Sequence, residues 1–331
     1  MERFALAAAV VLGFALTAAL CSLFVPLRRV LERREQNQQP VQSEQPRPAP
    51  LRAPLWGGLC AAAGTVAAVG VGWLAACVGQ PELLGSEGRL MTRLLTALAG
   101  SLAFGAVGLA EDLARMRSPA ALGLRRDVRL LLEALAAAVV LLLLQAAGCL
   151  PRGLDVPGAG YVLLGSAVPF LWAVLMVALA ECARIAERDE GTVCGAAFVA
   201  MLALMMAEAG LGVPGLAVLP AALAGALVAL LLWAFPPARL GVGCCGSLLA
   251  AGAIGCIPLS LDMTSLTVPL ALPFWAAGGL WAAQLLGAKR TGKPLRCWVK
   301  KHKMSPETVF LCSFALSAVG YVLALALLRW C

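Results

Sequence analysis

The stretch Leu90–Asp112, LMTRLLTALAGSLAFGAVGLAED, decides the fold. Residues 90–110 hold a single charge, Arg93, over about the 20 residues that an α-helix needs to cross a bilayer, and the carboxylates of Glu111 and Asp112 follow at once. Working outward, comparable apolar stretches lie at about 4–26, 55–79, 128–149, 160–180, 193–208, 213–233, 246–261, 268–288 and 308–328. With 61% of its 331 residues hydrophobic and 13% charged, the chain cannot be a soluble globular protein. The expectation is an all-α, polytopic membrane bundle of about ten transmembrane helices, forming one membrane domain over residues 1–331.

The distribution of charge orients that bundle. The net charge is +8, and 21 of the 26 Lys and Arg lie in the segments 27–54, 111–129, 181–192, 234–245 and 289–307, which alternate along the chain. The positive-inside rule puts these segments in the cytoplasm and both termini outside. No small-x-small cleavage site precedes Pro26, and the basic residues follow the first apolar run, so residues 4–26 read as a first span and not as a signal peptide. The segment 27–54 is rich in Gln and Pro and reads as a flexible cytoplasmic loop; 289–307, with seven Lys or Arg against Glu307, reads as a basic cytoplasmic loop. The plain reading of that basic loop is topology and attraction to anionic lipid heads; its functional reading is a grip on a phosphorylated substrate. Basic residues confined to short loops and 6% aromatics exclude nucleic-acid binding. The twelve cysteines sit mostly alone in apolar runs, and His302 is the only histidine, so neither a disulfide framework nor a Cys/His zinc site is expected.

Carboxylates beside a membrane span are costly and mark candidate sites. One cluster is Glu111 and Asp112. The other is Glu181 to Gly191, where continued helix would put Glu187 and Glu190 on one face with Arg184 a turn earlier. The alternative for this second cluster is a solvated loop whose charges cancel. Gly241-Val-Gly243-Cys244-Cys245-Gly246 fits GxGxxG in letters only, since no strand precedes it; its glycines suit a close approach of backbone and ligand at a turn.

These segments, taken in order, resemble the phospho-N-acetylmuramoyl-pentapeptide transferase family, polyprenyl-phosphate phosphosugar transferases of glycosyl transferase family 4. AFGAVGLAEDLARMR and ALGLRRDVRLLLE are similar to the family's third and fourth spans. Ala53 to Gly58 resembles GTPTMGG, the stretch 181–193 stands where the family has NxxDGxDGL, residues 235–255 resemble the MGDTGSLALGG segment, and Lys303-Met-Ser305-Pro306 resembles the start of MSPLHHHFE. The resemblance implies transfer of a phospho-sugar from a UDP carrier to undecaprenyl phosphate with release of UMP, in peptidoglycan lipid-intermediate synthesis. It also implies Mg²⁺ as cofactor, a bacterial plasma-membrane location with the active face cytoplasmic, and a homodimer. Carried over by position, the catalytic residues are Glu111, Asp112, Glu187 and Glu190, and the substrate-binding residues are Gly57, Gly58, Arg129, Arg184, Gly243 and Lys303.

The departures from the family pattern have chemical consequences. Cys244 stands at a metal-ligand Asp position, and soft sulfur suits hard Mg²⁺ poorly. Thr308, Val309 and Phe310 stand at the histidine positions. Several such changes on one site predict weak or absent turnover, each being worth about two to three orders of magnitude in rate. The alternative function is a catalytically silent paralogue that binds polyprenyl phosphate or a cell-wall partner. Losing one carboxylate and gaining Arg184 and Arg188 further suggests that guanidinium groups neutralise the acids where the family would hold a metal.

Overall fold

The computed structural model describes residues 2–38, 56–79, 88–117, 123–151, 153–156, 160–163, 165–187, 191–213, 215–236, 238–286 and 305–328. The fold is an all-α membrane bundle with one small hairpin. Its helices are α1 (Glu2–Gln38), α2 (Gly57–Gly79), α3 (Gly88–Arg117), α4 (Arg126–Ala146), α5 (Val168–Ala186), α6 (Thr192–Gly210), α7 (Val218–Ala234), α8 (Gly243–Ser260), the single turn α9 (Thr267–Leu270), α10 (Leu272–Leu286) and α11 (Pro306–Leu328). Strands β1 (Gly153–Val156) and β2 (Gly160–Leu163) pair antiparallel, with Gly153 opposite Leu163.

Among the described residues, seven helices are long and apolar enough to cross a membrane: α1, α2, α3, α5, α6, α8 and α11. The bent pair at α9 and α10, kinked by 62°, makes up to eight, short of the ten expected. Two further apolar stretches form helices of a different kind. Helix α7, with 17 residues, rises about 25 Å, less than a hydrocarbon core of about 30 Å. Helix α4 carries Arg126, Asp127, Arg129 and Glu133 near its start, which shortens its apolar part. The stretch expected at 160–180 opens with β2, and its helix begins only at Val168. Helix α1 continues to Gln38, so the first twelve residues of the expected flexible loop 27–54 are helical; residues 39–55 and most of 289–307 lie outside the described residues.

Helix α8 is the axis of the bundle. Every one of its residues is buried, and α3, α5, α2 and α6 pack around it. Its sequence, GCCGSLLAAGAIGCIPLS, is small on every side, which is what helices need to approach closely in lipid, where apolar surface alone gives no preference for a neighbouring helix. Pro258 cannot donate to the Ile254 carbonyl one turn earlier. The Thr267 hydroxyl donates to that carbonyl instead, at 3.5 Å, so the freed acceptor is satisfied inside the protein. Helix α11 is the opposite case. Only 17% of its span is buried, and Leu311, Val319 and Val322 point outward, as a lipid-facing helix requires.

Candidate active site

Five helix ends converge at one pole: the starts of α2, α4 and α8 and the ends of α3 and α5. The start of α8 organises it. Gly243 has φ +72, a conformation that side chains resist, and this turn aims the first N–H groups of the helix at α3. Those groups have no partner within their own helix. The Asp112 carboxylate, 1% exposed, accepts both, from Cys244 N–H at 3.0 Å and Cys245 N–H at 2.9 Å. Asp112 is therefore an N-terminal cap supplied from another helix, and its charge also suits the positive end of the helix dipole.

Gly57 and Gly58 serve the same junction. Their N–H groups donate to the carbonyls of Gly241 (3.2 Å) and Val242 (2.9 Å), which ties the start of α2 to the turn before α8. A Cβ on Gly58 would strike the Gly246 backbone, and one on Gly108 of α3 would strike the Cys244 carbonyl. At this turn backbone approaches backbone, and the N–H groups of Gly57 and Gly58, two of the residues expected to bind substrate, are bonded to it.

A lattice of charges surrounds this junction. Arg115, one turn beyond the acidic pair on α3, donates to Glu111 at 2.7 Å and stands 3.8 Å from both Asp112 and Glu187. Arg129 of α4 donates to Glu181 at 2.8 Å and to Glu111 at 3.5 Å, with Glu133 at 3.8 Å. Arg184 pairs with Glu181 on its own helix. Glu187 caps the end of α5, and the Cys244 thiol donates to its Oε2 at 3.6 Å. Burial pushes the Glu187 carboxyl above the usual carboxylate range, and the Arg115 guanidinium offsets part of that rise.

Glu111, Asp112, Arg129, Arg184, Glu187, Gly243 and Cys244 thus share one pole, as the sequence led one to expect. Of the two neutralising arginines anticipated, Arg184 turns to Glu181 and Arg188 lies outside the described residues, while Arg115 and Arg129 reach Glu111. Helix α5 ends at Ala186 with Glu187 as its cap, and the rest of the expected helical continuation, residues 188–190, lies outside the described residues. Arg188, Glu190 and Lys303 lie outside the described residues. Sequence reasoning missed Arg115, Glu133 and the pairing of Glu181 with Arg129. The signal available was spacing: Arg115 is i+4 from Glu111, and Glu133 is i+4 from Arg129.

The donor set fits a divalent cation poorly. Both Asp112 oxygens accept backbone N–H groups, Glu111 Oε1 is shared by two arginines, and Cys244 offers a thiol where a hard ion needs oxygen. Among the described residues no three His, Cys, Asp or Glu side chains are arranged to hold a metal ion.

A model of glycosyl transferase family 4 matches residues 94–262, and the chain belongs to that family. The pole from Glu111 to Cys245 falls inside the matched stretch; Gly57, Gly58 and Lys303 fall outside it. The chain is 32% identical over 170 residues to the phospho-N-acetylmuramoyl-pentapeptide-transferase of Desulforudis audaxviator (strain MP104C), a match covering 48% of this chain and 50% of the relative. The chain thus spans about half the length of that relative. It is 27% identical over 265 residues to the enzyme of the same name from Mycobacterium bovis (strain BCG / Pasteur 1173P2), with 72% of each chain covered. A third similar protein of that name, from Synechococcus sp. (strain RCC307), is 30% identical over 212 residues, covering 63% of this chain and 55% of the relative.

Proposed function

We propose that the chain is a membrane phosphosugar transferase homologue whose charged pole, on the cytoplasmic face, binds a polyprenyl phosphate and a UDP-linked sugar and transfers the phospho-sugar weakly or not at all. In the reaction that the relatives' name denotes, an oxygen of the lipid phosphate would attack the phosphorus bearing the sugar, and the bond to UMP would break. Two anions must meet, so the site needs free positive charge for the phosphates and a free carboxylate to act on the attacking group. The observation that carries the low-turnover reading is the engagement of Asp112: both of its oxygens are held by the start of α8. Arg115 and Arg129 both hold Glu111 at Oε1, while its Oε2 is buried without a hydrogen-bond partner.

In this reading Arg129 and Arg184 offer the positive charge nearest to an incoming phosphate, and each would have to loosen from Glu181 to use it. The test is transfer of radiolabelled phospho-N-acetylmuramoyl-pentapeptide from its UDP carrier to undecaprenyl phosphate by the purified full chain, beside an intact family member. The expected rate is lower by at least about two to three orders of magnitude. Turnover equal to that of the intact enzyme, abolished by Asp112→Asn, would overturn the reading. Measured binding of undecaprenyl phosphate without transfer would identify the silent form of the same function.

A further inference from the structure

We infer that the Arg115 guanidinium is the resident cation of this pole, standing among Glu111, Asp112 and Glu187 so that the site is assembled without a divalent metal ion. The inference rests on the reading that these helix ends are the family's site, and it deepens that reading by naming what replaces the ion. Three facts of geometry converge on it. The guanidinium reaches carboxylates from two helices, donating to Glu111 at 2.7 Å and lying 3.8 Å from Asp112 and Glu187. Each Asp112 oxygen already accepts one N–H, from Cys244 and Cys245, which anchors the carboxylate to the start of α8. The Glu187 Oε2 that faces the guanidinium also accepts a hydrogen bond from the Cys244 thiol, at 3.6 Å.

A Mg²⁺ ion prefers six oxygen ligands in a nearly octahedral shell at about 2.0–2.1 Å. To collect them here it would have to expel a side chain that is charged at every accessible pH and tethered four residues from Glu111. It would also face the positive charge of Arg129 on the far side of Glu111. The internal cation cannot diffuse away, so it holds α3 to the end of α5 at all times.

The probe is Mn²⁺, followed by electron paramagnetic resonance on the purified full chain in detergent, with thermal unfolding in Mg²⁺ or in EDTA at matched ionic strength. The native chain is expected to show no saturable Mn²⁺ binding up to about 1 mM, the weak end of oxygen-ligand cation sites, and the same unfolding midpoint in both buffers. Arg115→Gln combined with Cys244→Asp removes the guanidinium that Glu111, Asp112 and Glu187 share and supplies a fourth carboxylate. This variant should bind one Mn²⁺ at least about tenfold more tightly than the native chain and should be stabilised by it. Binding of one Mn²⁺ by the native chain, competed by Mg²⁺ and lost in Glu187→Gln, would overturn the inference. So would a folded double variant that binds Mn²⁺ no better than the native chain. Should the double variant fail to fold, the native titration decides alone. An active native transferase that binds no Mn²⁺ would defeat the low-turnover reading and leave this inference standing.

Discussion

The seam between α1 and α7 and the charged pole are held together by opposite means. Along the seam, Gly13 lies against the Ala222 carbonyl and Gly225 against the Val10 carbonyl, so closely that neither glycine has room for a Cβ. No charge enters these contacts; the two helices gain dispersion energy by bringing their backbones together. At the pole, Glu111, Glu133, Glu181 and Glu187 are drawn around Arg115 and Arg129. The seam is sensitive to added volume and indifferent to charge. The pole is sensitive to any single charge removed, because what remains is buried and unpaired.

The largest expected effect follows from that asymmetry. Arg129→Ala leaves Glu111, Glu133 and Glu181 without their shared guanidinium, and breaking such a buried pair costs about 3–5 kcal/mol. Thermal unfolding of the full chain in detergent measures it. Replacing Arg129 and Glu181 together by Met should recover part of the loss. If the single variant unfolds at the native temperature, ion pairing does not hold the pole.

The seam is tested by one carbon atom. Gly225→Ala drives a Cβ into the Val10 carbonyl, and overpacking of this kind costs about 1–3 kcal/mol. Gly70→Ala on α2 is the control: nothing lies near the added Cβ, and exchanging Gly for Ala inside a helix stabilises by up to about 1 kcal/mol. Opposite signs for the two variants in the same unfolding assay are the expected outcome. Equal losses would mean that the seam tolerates volume no worse than an open helix face.

Asp112→Asn comes next. The amide keeps the shape but can accept at only one oxygen, so one N–H of the pair Cys244 and Cys245 faces an NH₂ group and the charge at the start of α8 is lost. The expected cost is about 1–3 kcal/mol. Because this change also removes the acid that the transfer assay targets, a loss of stability without any change in an already negligible rate would place Asp112 on the side of structure.

That helices could pack closely was legible in the abundance of Ala and Gly, but neither the meeting of α1 with α7 nor much of the pole was, for a physical reason. Helix position follows from runs of apolar residues, and small-residue packing follows from the abundance of Ala and Gly. The carboxylates were also legible, because Glu111 and Asp112 end an apolar span and Glu187 lies at the next charged boundary. Arginines at such boundaries carry two meanings at once, topology and pairing. In sequence Arg115 therefore reads as a cytoplasmic charge, whereas in the fold it stands among three carboxylates. The letters of Gly57 and Gly58 suggested a ligand, but a backbone N–H has the same appearance in sequence whether its acceptor is a phosphate or the Gly241 carbonyl. The hairpin was hidden because Tyr161, Val162 and Leu163 extend the apolar run that leads into α5. The available signal was in the letters Pro157-Gly158-Ala159-Gly160, a composition that favours turns.

The smallest effect tests whether the start of α11 belongs to the pole. Ser305 reads by resemblance as part of a substrate-facing motif beside Lys303, yet its hydroxyl oxygen accepts the Thr308 N–H at 3.2 Å and so caps the helix. Ser305→Ala should cost about 1 kcal/mol. If α11 is an independent lipid-facing helix, that cost adds to the cost of Asp112→Asn within about 0.5 kcal/mol. A larger coupling in the double variant would join the α11 start to the charged lattice, and the boundary between the two regions would then have to be redrawn to include the segment that carries Lys303.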